Sequence, residues 1–309
     1  MKEKIKTLFC VAFLMYALPY IITTYLQGKG SEDMSKDTES EAVLSAKTAG
    51  DSKVPENLDV EEYLVGIVAH EIPISYETEA LKAQAVIART NLMAALEQGT
   101  ELPESLSREK LMELWGEESF TENYSRLSEA VAATAGVVMT YQGSYPYAAF
   151  HAVSAGSTRN AEEALGNTEM PWLAGVDSSM DIPSEDYLTV IFLEKQEFLQ
   201  RLRTAFGELP LTEDAPLEGF VIAARDSTDY AVQITMGEVT VTGEEVRTAL
   251  SLSSACFYIK EVEGQIRIVT KGLGHGLGMS QYGANVLAKD GSDYRTILNY
   301  YFKNIEISD

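Results

Sequence analysis

The 309-residue chain holds three histidines, at positions 70, 151 and 275, and each borders an apolar or glycine-rich segment. Histidine titrates near neutral pH and is the commonest nitrogen ligand for metals, so these residues are the first candidates for acid–base or metal chemistry. His70 precedes Glu71, but a zinc-protease helix needs a second histidine four positions on, where this chain has Ile74. Three dispersed histidines still leave open a zinc site assembled by the fold. Glu71 is the other candidate. It ends a mostly apolar helical segment just before Ile72-Pro73. In a partly desolvated cleft its carboxyl would hold a proton near neutral pH, as a glycosidic acid must; on an open surface it would be an ordinary glutamate.

The least ordinary stretch is Lys271-Gly-Leu-Gly-His-Gly-Leu-Gly-Met-Ser-Gln-Tyr-Gly-Ala284. A helix would lose about 1 kcal/mol at each glycine, and a strand would keep side chains on one face only. The stretch therefore reads as a tight loop that presents His275 and feeds a helix over residues 281–288 capped by Ser280. Its G-x-G-x-G-x-G spacing matches neither a dinucleotide fingerprint nor a Walker loop. There is also no G-x-S-x-G elbow for a serine hydrolase.

The elements that must position these groups follow from periodicity. Asp59 caps an expected helix with Val60, Leu64, Ile67 and Val68 on one face, ending before Pro73. A second helix runs from about Thr78 to Gln98 with Gly99 as its stop. By pattern alone the pair is no more than a helix hairpin. Helices are expected over 103–115 and 122–135, then a β-hairpin of 137–141 and 145–153 about Gln142-Gly143, which leaves His151 and Ser154 on a small-residue loop. Residues 172–176 read as a strand and 195–206 as a helix. Short strands at 219–224, 230–235, 238–242, 256–261 and 265–270 suggest one antiparallel sheet, interrupted by a helix at 244–250 and closed by another around 294–302. The class is α+β, antiparallel sheets with packed helices, preceded by a single N-terminal transmembrane helix.

That last element comes from residues 7–26, twenty in a row without a charge, behind Lys2, Lys4 and Lys6. The run exceeds a signal-peptide core and ends without a small-x-small site, so it reads as an uncleaved anchor with the rest of the chain outside. The organisation is a cytoplasmic tip (1–6), an anchor (7–26), a polar, acidic stalk (27–57) and one domain (58–309). A formal charge of −23, from 24 Lys+Arg against 47 Asp+Glu, argues against nucleic acid as a partner. Cys10 and Cys256 make neither a disulfide framework nor a cysteine-rich zinc site.

Four stretches together carry a resemblance. Val60-Glu-Glu-Tyr-Leu-Val-Gly-Ile-Val-Ala-His-Glu-Ile-Pro73, Glu79-Ala-Leu-Lys-Ala-Gln-Ala-Val-Ile-Ala-Arg-Thr90, Phe150-His-Ala-Val-Ser-Ala-Gly-Ser-Thr158 and the glycine loop resemble, in this order, the motifs of the stage II sporulation protein D (SpoIID/LytB) family. The resemblance implies a lytic transglycosylase of peptidoglycan. It would face the space between mother cell and forespore and act with a cell-wall amidase/endopeptidase and a membrane scaffold of the engulfment machinery. It also implies Glu71 as the catalytic acid, with Arg89, His151, Ser154, His275, Ser280, Gln281 and Tyr282 around the glycan. Position 70 is commonly a small residue in relatives and is His70 here. Some clostridial relatives bind zinc through cysteines and histidines after the Phe-His pair; this chain offers His151, Ser154, Ser157 and Thr158, so no metal and no cofactor are expected. The alternative from the same resemblance is a peptidoglycan-binding activator of an amidase that cuts no glycan.

Overall fold

The computed structural model describes residues 59–308. The expected tip, anchor and stalk lie outside the described residues. Among the described residues no helix is long and apolar enough to cross a membrane.

Helix α1 (Val60–Glu71) begins where the Asp59 carboxylate accepts the Glu62 N–H at 3.1 Å. It stops at Ile72, which is extended (φ −135°, ψ 141°), the conformation that a following proline imposes. Helix α2 (Thr78–Gln98) ends on left-handed Gly99. It is buried on both sides: Ala80, Ala83, Val86 and Ile87 enter one core, while Leu81, Ala85, Ala88 and Leu92 enter another with Leu64, Ile67 and Val68 of α1. Each buried Leu, Ile or Val side chain is worth about 1.5–3 kcal/mol, and the alanines let neighbouring elements approach closely, so α2 is the beam on which both cores hang.

Helix α3 (Arg108–Ala132) replaces two expected helices and kinks at Gly116 (φ 74°, ψ 154°). Residues 103–107 are not helical as expected. Ser105 Oγ donates to the Tyr63 carbonyl and the Leu106 N–H to that of Gly66, which ties this strap extended across α1 until Ser107 caps α3.

The expected hairpin does not form. Strand β1 (Val138–Thr140) pairs antiparallel with the C-terminal β10 (Glu306–Ser308), whereas β2 (Phe150–His151) pairs in parallel with β9 (Met279–Ser280). The turn itself closes, between Tyr141 and Ser144, but Pro146 has no N–H for a ladder, and the Asn91 side chain takes both the N–H (2.9 Å) and the C=O (3.0 Å) of Ala148. Residues 172–176 are likewise no strand; their backbone is used by turns to Met170, Ala161 and the Thr158 hydroxyl. A short helix, α4 (Ala161–Leu165), precedes them.

The second half holds two antiparallel sheets rather than one. Strand β3 (Leu188–Glu194), not anticipated, leads into α5 (Lys195–Phe206). It pairs with β8 (Gln265–Lys271), which pairs with β7 (Phe257–Val262). Strands β4 (Phe220–Arg225), β5 (Ala231–Met236) and β6 (Val239–Val241) make the other sheet. A shared core from both sheets, α5 and α6 (Gly243–Leu250) includes Phe198, Leu202, Ile234, Val246, Phe257 and Ile268. The chain closes with α7 (Gln281–Lys289) and α8 (Tyr294–Tyr301) against α2. The α+β class and most element positions thus follow the sequence, as do the antiparallel pairings of β4 with β5, β5 with β6 and β7 with β8; the partners of β1, β2 and β3 do not.

Candidate active site

Glu71 is the last residue of α1, where unpaired carbonyls already disfavour a negative charge. Thirteen positions on, Gln84 of α2 donates its Nε2 to Glu71 Oε2 at 2.8 Å. Gln281, the first residue of α7, donates its Nε2 to the Glu71 carbonyl at 2.6 Å and to Gln84 Oε1 at 3.2 Å. The three residues form a closed clamp. Gln84 and Gln281 are buried, and Glu71 is half-buried as a residue. Burial pushes its pKa up to about 8, against the opposing pull of the Gln84 hydrogen bond. Half-buried Tyr147 lies within electrostatic reach; its phenol is pushed up to about 12, by burial first and then by the charge of Glu71. At neutral pH the site therefore offers a proton held by a carboxyl of fixed orientation.

His70 does not join this clamp. Its Nε2 lies 3.9 Å from Glu104 Oε2, a carboxylate 66% exposed, a pairing that contributes little.

Ser280 Oγ accepts the Gly283 N–H at 3.2 Å and starts α7, as expected, so the glycine loop aims Gln281 at Glu71 across 210 residues. The close approach explains the glycines. Gly278 has φ 70°, and a Cβ there would run into the Ala149 carbonyl. Gly276 lies on the Tyr230 hydroxyl, which would stand 2.7 Å from a Cβ.

His275 and His151 belong beneath the loop rather than beside Glu71. Their rings are 5.9 Å apart. His151 Nδ1 meets the Leu277 carbonyl at 3.0 Å, and His275 Nδ1 accepts the Leu277 N–H at 3.1 Å. His275 also bonds the backbone of Phe150. Burial, as the largest cause, lowers His151 to about 4 and His275 to about 3, so both rings are neutral near pH 7. Some of the His275 surface stays accessible, but its polar atoms serve the backbone. The loop residue that reaches Glu71 is Gln281, at the backbone carbonyl, not His275. Arg159, which the sequence reading passed over, locks this layer. It pairs with Asp226 at 2.7 Å and Glu244 at 3.0 Å, donates to the His275 carbonyl at 3.0 Å and stacks over Tyr230 at 4.5 Å.

The other expected residues fall in two places. Ser154 is buried; its N–H donates to Asp181 Oδ2 at 2.7 Å and its hydroxyl accepts the Gly156 N–H at 3.2 Å. Asp181 lies among Ser154, Ser178 and Ser280, and burial raises its pKa. Tyr282 bonds the Ala152 carbonyl through its N–H at 3.0 Å and lies near Tyr76. Arg89 is buried on α2 and fully engaged: a two-pronged pair with Glu61 (3.0 and 2.8 Å) and bonds to the Val131 and Val137 carbonyls, both at 3.2 Å. Gln84, Tyr147, Asp181 and Arg159 were not singled out from sequence. Gln84 sits within a recognised motif one helical turn before Ala88, and its polarity on a face otherwise apolar was the available signal. Among the described residues no group of three or more His, Cys, Asp or Glu side chains is gathered that could hold a metal ion.

The family model for Stage II sporulation protein (SpoIID) matches residues 48–141, which contain α1 to α3 and Glu71. Over 93% of its length the chain is 33% identical to Stage II sporulation protein D of Bacillus amyloliquefaciens and 32% identical to that of Bacillus subtilis, covering 84% of each. It is 27% identical to the amidase enhancer of Bacillus subtilis, over 77% of this chain and 39% of that protein.

Proposed function

Because the chain belongs to the stage II sporulation protein D family, we propose that it is a lytic transglycosylase that cuts peptidoglycan glycan strands. The observation that carries this reading is Glu71, its carboxyl pushed by burial toward the protonated form at neutral pH, bonded by Gln84 and held at its backbone by Gln281.

In the proposed reaction Glu71 donates its proton to the oxygen linking N-acetylmuramic acid C1 to N-acetylglucosamine. As that C1–O bond breaks, the muramyl C6 hydroxyl oxygen bonds to C1, and the Glu71 carboxylate takes the C6 hydroxyl proton. The products are a free N-acetylglucosamine hydroxyl and a 1,6-anhydromuramyl end. No water is consumed and Glu71 ends as it began. One carboxyl suffices because the nucleophile is part of the substrate, unlike hydrolases with paired carboxylates. The Gln84 amide, itself held by Gln281, keeps the carboxyl oriented through both transfers.

The proposed setting is the outer side of a membrane, tethered by residues 7–26, in the space between mother cell and forespore, with a cell-wall amidase/endopeptidase and a membrane scaffold as partners. The proposed substrate is glycan already stripped of its stem peptides, each N-acetylmuramic acid then carrying its free lactyl carboxylate. The likeness to an amidase enhancer favours a second reading, in which the domain binds glycan and activates an amidase without cutting. Mass analysis of products from peptide-stripped glycan separates the two. The chain is expected to yield anhydromuramyl ends and Glu71→Gln to lose them by at least ~10³-fold while still binding strands. Undiminished anhydro product from Glu71→Gln would falsify the assignment; reducing ends would mean a hydrolase.

A further inference from the structure

Among the described residues, the sheet formed by β3, β8 and β7 has helices on one face only. Its inner face, with Leu193, Ile266, Ile268 and Phe257, packs in the core that contains Phe198, Leu199 and Leu202 of α5. On its outer face the register aligns Leu188 with Lys271, Val190 with Val269 and Tyr258, and Phe192 with Arg267 and Lys260. Leu188, Val190, Phe192 and Tyr258 are 54, 41, 52 and 39% exposed. An apolar column on an edge strand is a feature that soluble proteins normally cover or interrupt with charge.

The cations beside that column are unusual for this molecule. Lys260, Arg267 and Lys271 stand on one sheet face of a chain with only 24 Lys+Arg against 47 Asp+Glu. Lys271 lies 5.2 Å from the Tyr258 ring centre, and Arg225 4.7 Å from it. Among the described residues, neither Lys260 nor Arg267 has a carboxylate at ion-pair distance. The neighbouring acids point elsewhere or lie at the margin: Glu261 pairs with Lys195, and Glu194 at the end of β3 accepts from Gln265 at 2.7 Å.

We infer that this outer face docks an acidic amphipathic helix of a partner protein. Such a helix would cover the sheet as α5 helps cover its other side, with apolar residues on Leu188, Val190, Phe192 and Tyr258 and carboxylates over Lys260, Arg267 and Lys271. The seven residues of β3 extend roughly 23 Å, which a helix of about 15 residues spans. Charge disfavours a second copy, since each copy brings a net −23. The inference stands apart from the catalytic reading and survives if Glu71 proves inert.

The test is fluorescence anisotropy with the full chain and a labelled synthetic helix of about 15 residues, leucine at helical spacing and glutamate elsewhere. Saturable binding is expected, weakening about tenfold or more between roughly 0.05 and 0.5 M salt. A matched helix with lysine for glutamate should bind at least about tenfold more weakly. Phe192→Glu and, separately, Arg267→Glu should each lose about tenfold in affinity with an unchanged circular dichroism spectrum, and Lys260→Arg should lose little. Three results overturn the inference. The lysine helix could bind as well as the glutamate helix. Dextran sulfate could compete while Phe192→Glu has no effect, which would make the face a polyanion site. Sedimentation could give a dimer abolished by Phe192→Glu, which would assign the face to a second copy.

Discussion

At Glu71 the two influences on the carboxyl oppose each other. Burial at the end of α1 favours the protonated form, and the Gln84 amide favours the charged one; burial wins, at about 8. On the proposed mechanism the acid is lost as pH rises through that value, so the rate on stripped glycan should fall above about pH 8. Replacing Gln84 by leucine removes the hydrogen bond that favours the anion. The alkaline limb should therefore move upward, while kcat drops about tenfold or more as the carboxyl loses its orientation. A purely structural role for Gln84 would lower activity without moving the limb. Stability should follow the same titration. Below the unfolded value of 4.5 both states are protonated. Between 4.5 and about 8 the unfolded chain has released a proton that the folded chain retains, so stability falls as pH rises, and it levels off above. The melting temperature of Glu71→Gln should match wild type near pH 4.5 and exceed it by a few degrees at pH 8. A constant difference across that range would place Glu71 in an ordinary aqueous setting.

At the scale of elements, the glycine loop and Arg159 hold the site's back wall. Gly278 combines a left-handed backbone with a Cβ direction blocked by the Ala149 carbonyl, whereas Gly291, also left-handed at φ 92°, has open space around it. Gly278→Ala should cost more than about 3 kcal/mol and Gly291→Ala roughly 1–2, measured by urea unfolding. Similar costs would mean that backbone strain alone matters. Arg159 binds the loop to the β4–β5 turn at Asp226 and to α6 at Glu244. These ties were hidden in the sequence, since the partners lie 67 and 85 positions away. What could be read locally was read: the Asp59, Ser280 and Gly99 boundaries depend on a few adjacent residues. What failed was the pairing of the 137–153 hairpin. Residues 145–153 have the composition of a strand, yet Asn91 and Pro146 remove the ladder that would have joined them to β1.

For the whole molecule, charge is the property with the widest reach. A net −23 should repel stripped strands, whose muramyl lactyl groups carry free carboxylates, as well as peptide-bearing ones. The rate on stripped strands should therefore rise severalfold between roughly 0.05 and 0.5 M salt as that repulsion is screened. A rate insensitive to salt would mean that overall charge does not govern encounter with the strand. The same excess of acid sets off the cationic outer face of the β3–β8–β7 sheet and gives it a partner chemistry.

The sequence by itself determined the α+β class, most helix limits, the family and Glu71 as the residue to suspect, because caps, periodicity and contiguous motifs are written in neighbouring residues. Tertiary structure alone decided that Glu71 is protonated, that Gln84 and Gln281 rather than His275 hold it, and that Arg89 is committed to Glu61. Those outcomes depend on burial and on hydrogen bonds between residues up to 210 positions apart. Neither desolvation nor a long-range partner leaves a local trace in the chain.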